Sequence, residues 1–412
     1  MIKRTLFEPI KEHLSKKEIT LITGPRQAGK TTLMLALKEH LKKKGQKTLF
    51  LNLDIEADRQ YFSSQAKLLN KIKLEFGQKK AYIFIDEIQR KTNAGLFLKG
   101  IYDSNLPYKF IVSGSGSIKL KEKIHESLAG RKQVFDLTTL SFQEFLNYKT
   151  EYKYQDKLDQ FCSVEPQKTN SFFQEYLSFG GYPRVVLSET LEEKQNIIND
   201  IYQSFLLKDI SFLLNVKKLD AFSNLLRVLS SQIGQLTNIS EISNTLNISV
   251  KTVNKYLWYL EHTFIISKIT PYFKNTRKEI TKSPIYYFSD LGLRNFINNN
   301  FDSPLPQPNS GFLFQNFYYL LINQTKSLGS RIHFWRTKNK AELDFIVIIG
   351  QELIPMEIKY KRLKNTSIPG SLKSFIKKYQ PKKANIINLS LSKTIKINST
   401  VVNFIPYYSL VR

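Results

Sequence analysis

The stretch EITLITGPRQAGKTT, residues 18–32, sets three signals end to end. Residues 18–23 are a short apolar run, the pattern of a buried strand. Gly24-Pro25-Arg26-Gln27-Ala28-Gly29-Lys30-Thr31 then matches G-x-x-x-x-G-K-[ST]. A helical pattern follows from about Thr31 to Lys44, where Gly45 ends it. Each part has a physical task. The glycines let main-chain N–H groups turn inward around a triphosphate, and the helix N-terminus adds partial positive charge there. Lys30 is suited to bridge the β- and γ-phosphates, and the Thr31 hydroxyl to bind Mg²⁺. Gly24, Pro25, Arg26, Gln27, Ala28, Gly29, Lys30, Thr31 and Thr32 are therefore the candidate nucleotide contacts.

Further strands surround this loop. TLFLNLD (48–54), AYIFIDE (81–87) and KFIVSGS (109–115) are apolar runs separated by helical stretches. That alternation predicts an α/β fold, a parallel sheet with helices on both faces, over a block ending near Leu140. The third strand delivers Asp86 and Glu87 at its C-terminal end, where such sheets bind ligands. Asp86 is the expected Mg²⁺ partner, and Glu87 the group that orients or deprotonates an attacking water. Ser113 stands where a polar side chain reads the γ-phosphate, although a strand-to-loop turn explains it equally well. Arg131 in SLAGR is a candidate arginine finger toward a neighbouring subunit, which allows a homo-oligomer. Arg184, after GGYP, is a weaker candidate within the subunit.

The chain has 412 residues, 62 Lys+Arg, 35 Asp+Glu and a net charge of +27. That length allows two or three compact units, each with a core. Hydrophobic residues at 42% exclude disorder or a coiled coil as a description of the whole. One cysteine, Cys162, excludes an internal disulfide and a cysteine-based zinc site. No run reaches the length of a membrane span, so a soluble cytoplasmic protein with no membrane partner is expected. The positive excess favours polyanions such as DNA. It is spread along the chain: residues 1–50 carry twelve basic residues against four acids, and residues 351–412 twelve against two.

Residues 239–246 and 250–260, joined by Asn247-Ile248-Ser249, read as a helix-turn-helix with Val253, Leu257 and Leu260 facing inward. Lys251, Thr252, Asn254 and Lys255 then lie on or near the outer face. The strands after Glu261 suggest a wing whose basic tip holds Lys274, Arg277, Lys278 and Lys282. Lys251, Thr252, Lys255, Arg277 and Lys278 are the DNA-contact candidates. Tyr256, Trp258 and Tyr259 on the second helix argue for packing instead. Farther on, Asp344 in ELDFIVI is followed after thirteen residues by Glu357-Ile358-Lys359. On one strand Glu357 and Lys359 share a side. With Asp344 they form a candidate divalent-metal site in which Lys359 activates water.

GPRQAGKTTL, IFIDEIQR, VSGSGS, ESLAGR and LSFQEFL, then GGYPRV, YFSDLGL, FWRTKNKAELDF and MEIKYK, resemble the AAA-type ATPases of bacteria and archaea that carry a C-terminal domain of unknown function. The resemblance spans nearly the whole chain and implies ATP with Mg²⁺ rather than GTP. Asp344 and Glu357-x-Lys359 resemble the PD-(D/E)xK nuclease skeleton. Gln315 departs from it, being an amide where related ATPases tend to have Glu. The expected organisation is an ATPase core over 1–145, a helical lid over 146–215, a winged helix-turn-helix over 216–290 and a restriction-endonuclease-like α/β domain over 291–412. Three functional readings follow. The first is an ATPase coupled to DNA. The second is a regulatory ATPase that binds a protein partner, with an inactive nuclease-like scaffold. The third is an ATP-gated, metal-dependent DNA nuclease.

Overall fold

The structure, a computed structural model, describes residues 2–115, 127–213, 216, 218–273, 275–301, 310–327, 329–337, 339 and 341–410. Five parallel strands build the N-terminal sheet: β1 (Ile19–Gly24), β2 (Lys47–Asn52), β3 (Ala81–Asp86), β4 (Tyr108–Ser115) and β5 (Lys132–Asp136). Their spatial order is β2-β3-β4-β1-β5. Every residue of β1, β3 and β4 is buried, because helices cover both faces of a parallel sheet. β5 was not legible as a strand: KQVFD is a half-polar edge with no apolar run.

The topology creates a crevice. β4 lies between β1 and β3, so their C-terminal ends stand about 10 Å apart, two strand spacings. The phosphate loop leaves β1 on one side, and Asp86 closes β3 on the other. Gly24 ends β1 beneath Leu137, and a Cβ there would lie 2.0 Å from the Leu137 carbonyl oxygen. Gly29 has φ 95°, a left-handed conformation that glycine adopts at least cost.

A helical region follows. It runs from the helix Phe142–Lys149, closed by a Ser141–Glu144 capping box, to the helix Val250–His262. An eight-stranded mixed sheet completes the fold. Its strands are β6 (Ile266–Pro271), β7 (Ile285–Phe288), β8 (Arg331–Arg336), β9 (Glu342–Ile349), β10 (Glu352–Ile358), β11 (Lys383–Asn388), β12 (Lys393–Ile397) and β13 (Thr400–Pro406). The order is β12-β13-β11-β10-β9-β8-β6-β7.

This arrangement differs from a chain of separable modules. The two strands expected as a wing, β6 and β7, extend the C-terminal sheet: β6 pairs in parallel with β8 through Thr270↔His333 and Pro271↔Phe334. Pairing thus crosses the boundary drawn at residue 290. Between β6 and β7 the chain forms a short helix, Thr276–Thr281, rather than a bare basic tip. The largest core runs from Ile2 through the helical region to Tyr407. Phe142 and Phe173 pack edge-on with Phe317 of the helix Ser310–Thr325, at centroid distances of 5.2 and 5.0 Å, and Phe173 meets Tyr407 at 4.1 Å. Sequence patterning marks apolar faces but does not say which faces meet.

Asp290 ties these parts together. Its buried carboxylate caps the helix Leu291–Ile297 by accepting from the Leu293 N–H at 2.9 Å, and it accepts from the Gly181 N–H at 2.8 Å. Gly180 and Gly292 approach so closely that a Cβ on either would lie within 2.5 Å of neighbouring atoms. Burial pushes the Asp290 carboxyl upward, and its backbone hydrogen bonds pull it down. Asp290→Ala strips two buried N–H groups of their acceptor and should cost about 2–4 kcal/mol of stability, read by urea denaturation. A loss below about 0.5 kcal/mol would contradict the role given to this carboxylate.

Candidate nucleotide site and the acid pair

Lys30 begins the helix Lys30–Lys43 and is only 5% exposed. Its Nζ donates to the Pro25 carbonyl at 2.7 Å and the Gly24 carbonyl at 3.2 Å, so it lies curled inside the loop. Burial lowers its pKa, while Glu87 first and Asp86 second counter that shift. The Thr31 hydroxyl donates to Asp86 Oδ2 at 2.7 Å across the crevice. The hydroxyl and carboxylate proposed to share one cation are therefore already in contact. That donor set fits Mg²⁺, which prefers a hard oxygen shell completed by phosphate and water.

Glu87 follows in a left-handed conformation, φ 57°, unusual for a side chain with a Cβ and characteristic of functional sites. The Ser113 hydroxyl donates to Asp86 Oδ1 and accepts the Glu87 N–H at 3.3 Å. Ser113 thus orients Asp86 from between the two acids. Burial raises the Glu87 carboxyl, and the Lys30 ammonium opposes that rise.

The two arginine candidates lie apart. Arg184 Nη1 donates to Gln27 Oε1 at 3.2 Å, beside the phosphate loop. Arg131 sits at the opposite edge of the sheet. Its carbonyl accepts from Ile19 at the start of β1, and its guanidinium pairs with Asp103 at 2.8 Å. The length of β1, five residue steps of about 3.3 Å or roughly 17 Å, separates it from its own loop.

In the helix-turn-helix stretch, the helices Ile239–Thr245 and Val250–His262 bury Val253, Tyr256, Leu257, Tyr259 and Leu260. Tyr256 packs edge-on against Phe222 at 5.1 Å. Lys251, Asn254 and Lys255 are exposed, and Thr252 is half-buried with its hydroxyl 2.8 Å from that of Ser249. Arg277 is exposed. The side chain of Lys278 and the whole of Lys274 lie outside the described residues.

In the C-terminal sheet, a register shift between β8 and β9 falls at Asp344. Bulges of this kind re-aim a side chain. Gln315 Nε2 donates to Asp344 Oδ1 and the Ile358 N–H to Oδ2, both at 2.6 Å. Lys359 Nζ donates to Glu357 Oε1 at 2.6 Å. Burial, reinforced by the Glu357 charge, pushes the Asp344 carboxyl up to about 8; burial likewise raises Glu357, with Lys359 opposing. Among the described residues no group of three His, Cys, Asp or Glu side chains is placed to hold a metal ion. Both Asp344 oxygens are engaged, and Gln315 adds no charge. This set does not fit a resident divalent metal.

Residues 16–146 match an AAA domain. Residues 170–303 and 310–410 match two domains of unknown function. An uncharacterized protein of Haemophilus influenzae is 28% identical over 291 residues, 67% of this chain and 68% of that protein. An uncharacterized protein of Methanocaldococcus jannaschii is 24% identical over 395 residues, 94% and 85% of the two chains. Among solved structures, the replication initiator DnaA bound to AMPPCP and single-stranded DNA is similar at 14% identity, covering 63% of this chain and 90% of that one with a TM-score of 0.30. Cdc6p from Pyrobaculum aerophilum gives 10% identity, 72% and 92% coverage, and a TM-score of 0.28. Such scores are too low for a shared overall arrangement. The AAA domain implies ATP binding.

Three residues around the AAA domain's crevice escaped the sequence reading. Gln89 donates through Nε2 to Glu87 Oε2 and accepts the Ser115 N–H at 3.1 Å, so it holds Glu87 against β4. Its place two residues beyond Glu87 in IFIDEIQR was the available signal. Arg4 donates to the Ala28 carbonyl of the loop and to the Thr138 carbonyl, each at 2.7 Å, and pairs with Glu144 at 3.1 Å. Asp209 pairs with Arg26 at 2.6 Å. Neither Arg4 nor Asp209 has a local sequence signal, because each acts across a long chain separation.

Asp344 gives a pH test. Its carboxyl is higher in the folded protein, at about 8, than the roughly 3.9 of an unfolded aspartate. A raised acid contributes stability that is present below the unfolded value and lost as pH climbs through the folded one. Asp344→Asn cannot ionise and escapes that loss. The stability of the Asn variant relative to the parent should therefore rise from pH 5 to pH 8 and level off above. Urea titrations at pH 5, 7 and 9 giving a constant difference would refute the assignment.

Proposed function

We propose that the AAA domain hydrolyses ATP with Mg²⁺ by in-line attack of water on the γ-phosphate, and that turnover is coupled to DNA. The observation that carries the first part is the 2.7 Å contact from Thr31 to Asp86, made across a crevice that also holds the buried Lys30. In this reading the loop amides and the N-terminus of the helix Lys30–Lys43 bind the phosphates. Lys30 exchanges its loop carbonyls for β- and γ-oxygens. Thr31 and Asp86 hold Mg²⁺, which screens the charge of the phosphates. Glu87, oriented by Gln89, positions the water and accepts its proton; Ser113 keeps Asp86 turned toward Thr31. Arg184 is close enough to act within the subunit, whereas Arg131 serves only a neighbouring copy.

The DNA part rests on charge. Lys361, Arg362, Lys364, Lys373, Lys377, Lys378, Lys382 and Lys383 are all exposed, and none of them has an ion pair among the described residues. No acid follows Glu357 in the sequence. The apolar side of the helix Gly370–Tyr379 (Leu372, Phe375 and Ile376) is buried, so its exposed side offers lysines for phosphates rather than apolar residues for lipid. Lys251, Lys255 and Arg277 add to the exposed positive surface. A second reading concerns Asp344, Glu357 and Lys359. With Gln315 on one Asp344 oxygen and Ile358 on the other, we read this nuclease-like sheet as a scaffold that binds without cutting.

Lys30→Ala should abolish ATP binding without unfolding the chain. Glu87→Gln should bind ATP normally and turn it over at least about a hundredfold more slowly. Parental turnover by Glu87→Gln would remove Glu87 from the water-positioning role. Steady-state ATPase with and without duplex DNA, at two salt concentrations, tests the coupling: stimulation that fades steeply with salt is expected. Turnover indifferent to DNA would favour a protein partner. Loss of intact DNA on a gel with Mg²⁺ or Mn²⁺ would overturn the non-cutting reading.

A further inference from the structure

The phosphate loop carries a second cation whose partner comes from a distant element. Arg26 Nε donates to Asp209 Oδ2 at 2.6 Å, and the two side chains retain 19% and 7% of their exposure. Asp209 belongs to the π-helical segment Phe205–Leu213, which continues the helix Leu191–Ser204. π turns are rare and concentrate at functional sites. Phe205, Leu206 and Ile210 of this segment are buried in the largest core, so the carboxylate is held at the core's rim. Both members of the pair line a small pocket together with Pro25, Tyr182, Ile201 and Phe205.

The pair also lies within electrostatic reach of the chemistry. The Lys30 ammonium feels Glu87, Asp86, Arg26 and Asp209 in that order. Two cations, Lys30 and Arg26, thus meet three carboxylates. Asp86 has Thr31 and Mg²⁺ for its purpose, and Glu87 has water. Asp209 pairs with Arg26 in that set. An arriving triphosphate repels Asp209 and attracts Arg26, whose planar fork accepts phosphate as readily as carboxylate. Desolvating a nearly buried ion pair makes it weak ground for stability alone, which leaves room for a switch.

We propose that Asp209 is an internal anion that competes with the terminal phosphate of ATP for Arg26, so that nucleotide binding loosens the π-helical segment Phe205–Leu213. This rests on the ATP-binding reading above. The phosphate loop thereby reports its occupancy to the helical region through one guanidinium.

Calorimetry of the full chain with Mg²⁺ and an ATP analogue bridged by carbon between its β- and γ-phosphorus tests it. Asp209→Asn, nearly identical in shape, should bind about three- to tenfold tighter than the parent. In an Arg26→Ala background most of that gain should vanish. Amide hydrogen exchange on the unmodified chain should quicken about threefold or more over residues 205–213 when the analogue is bound. Equal or weaker binding by Asp209→Asn, or unchanged or slower exchange in the segment, would overturn the proposal. Tight parental binding with either of those results sinks only the internal anion; no binding by the parent sinks the ATP reading and this inference with it.

Discussion

The ammonium of Lys30 is 95% removed from water and, among the described residues, pairs with no anion directly, donating instead to the carbonyls of its own loop. A buried cation is costly unless negative charge stands close by. The sheet provides it: β3 ends on Asp86 and Glu87 across the gap made by β4. The order β3-β4-β1 therefore does more than bury apolar strands. It sets the width of a crevice in which a lysine, a hydroxyl and two acids balance one another. Much of the surrounding detail keeps this balance in register. Ser113 fixes Asp86, Gln89 fixes Glu87, and Arg4 holds the loop from outside.

The rest of the chain is less modular than its patterning suggests. A single aromatic cluster joins the first helix after the AAA sheet to the helix Ser310–Thr325 and to the chain's last turn at Tyr407. Asp290 ties the Gly180–Gly181 turn to the N-terminus of the helix Leu291–Ile297. The Gly180–Gly181 turn leads directly into the helix Pro183–Leu187, whose Arg184 touches Gln27 of the phosphate loop. The loop thus touches the helical region through contacts that include the Arg184–Gln27 and Arg26–Asp209 pairs, and the helical region and the C-terminal sheet share one apolar core.

The C-terminal acid pair illustrates how one substitution redirects a site. A glutamate at position 315 would bring a third carboxylate to Asp344 and Glu357. Gln315 instead donates to Asp344, and an uncharged amide beside a buried acid is compatible with that acid holding its proton near neutral pH. Lys359 is drawn to Glu357 and compensates only part of the local charge.

How much was legible in the sequence follows from how local each signal is. The phosphate loop, its flanking strand and helix, and the Asp86–Glu87 strand end were readable because each is specified within a dozen neighbouring residues. The same holds for the strand that carries Glu357, β10. β5 and β12 were not readable, since short edge strands with mixed polarity depend on the partner that pairs with them, and neither was β13, which pairs between β12 and β11. β6 and β7 were recognised as strands, but their place at the end of an eight-stranded sheet was not, because pairing is a contact between distant segments. The sequence by itself determined which residues could cradle a phosphate: local spacing and backbone freedom suffice for that. Only the tertiary structure decided that Arg4 and Asp209 reach the phosphate loop and that Gln89 holds Glu87, that Arg131 lies at the far edge, and that the helical region and last sheet share one core. Those outcomes depend on which buried faces and charges meet, and only the folded chain brings them together.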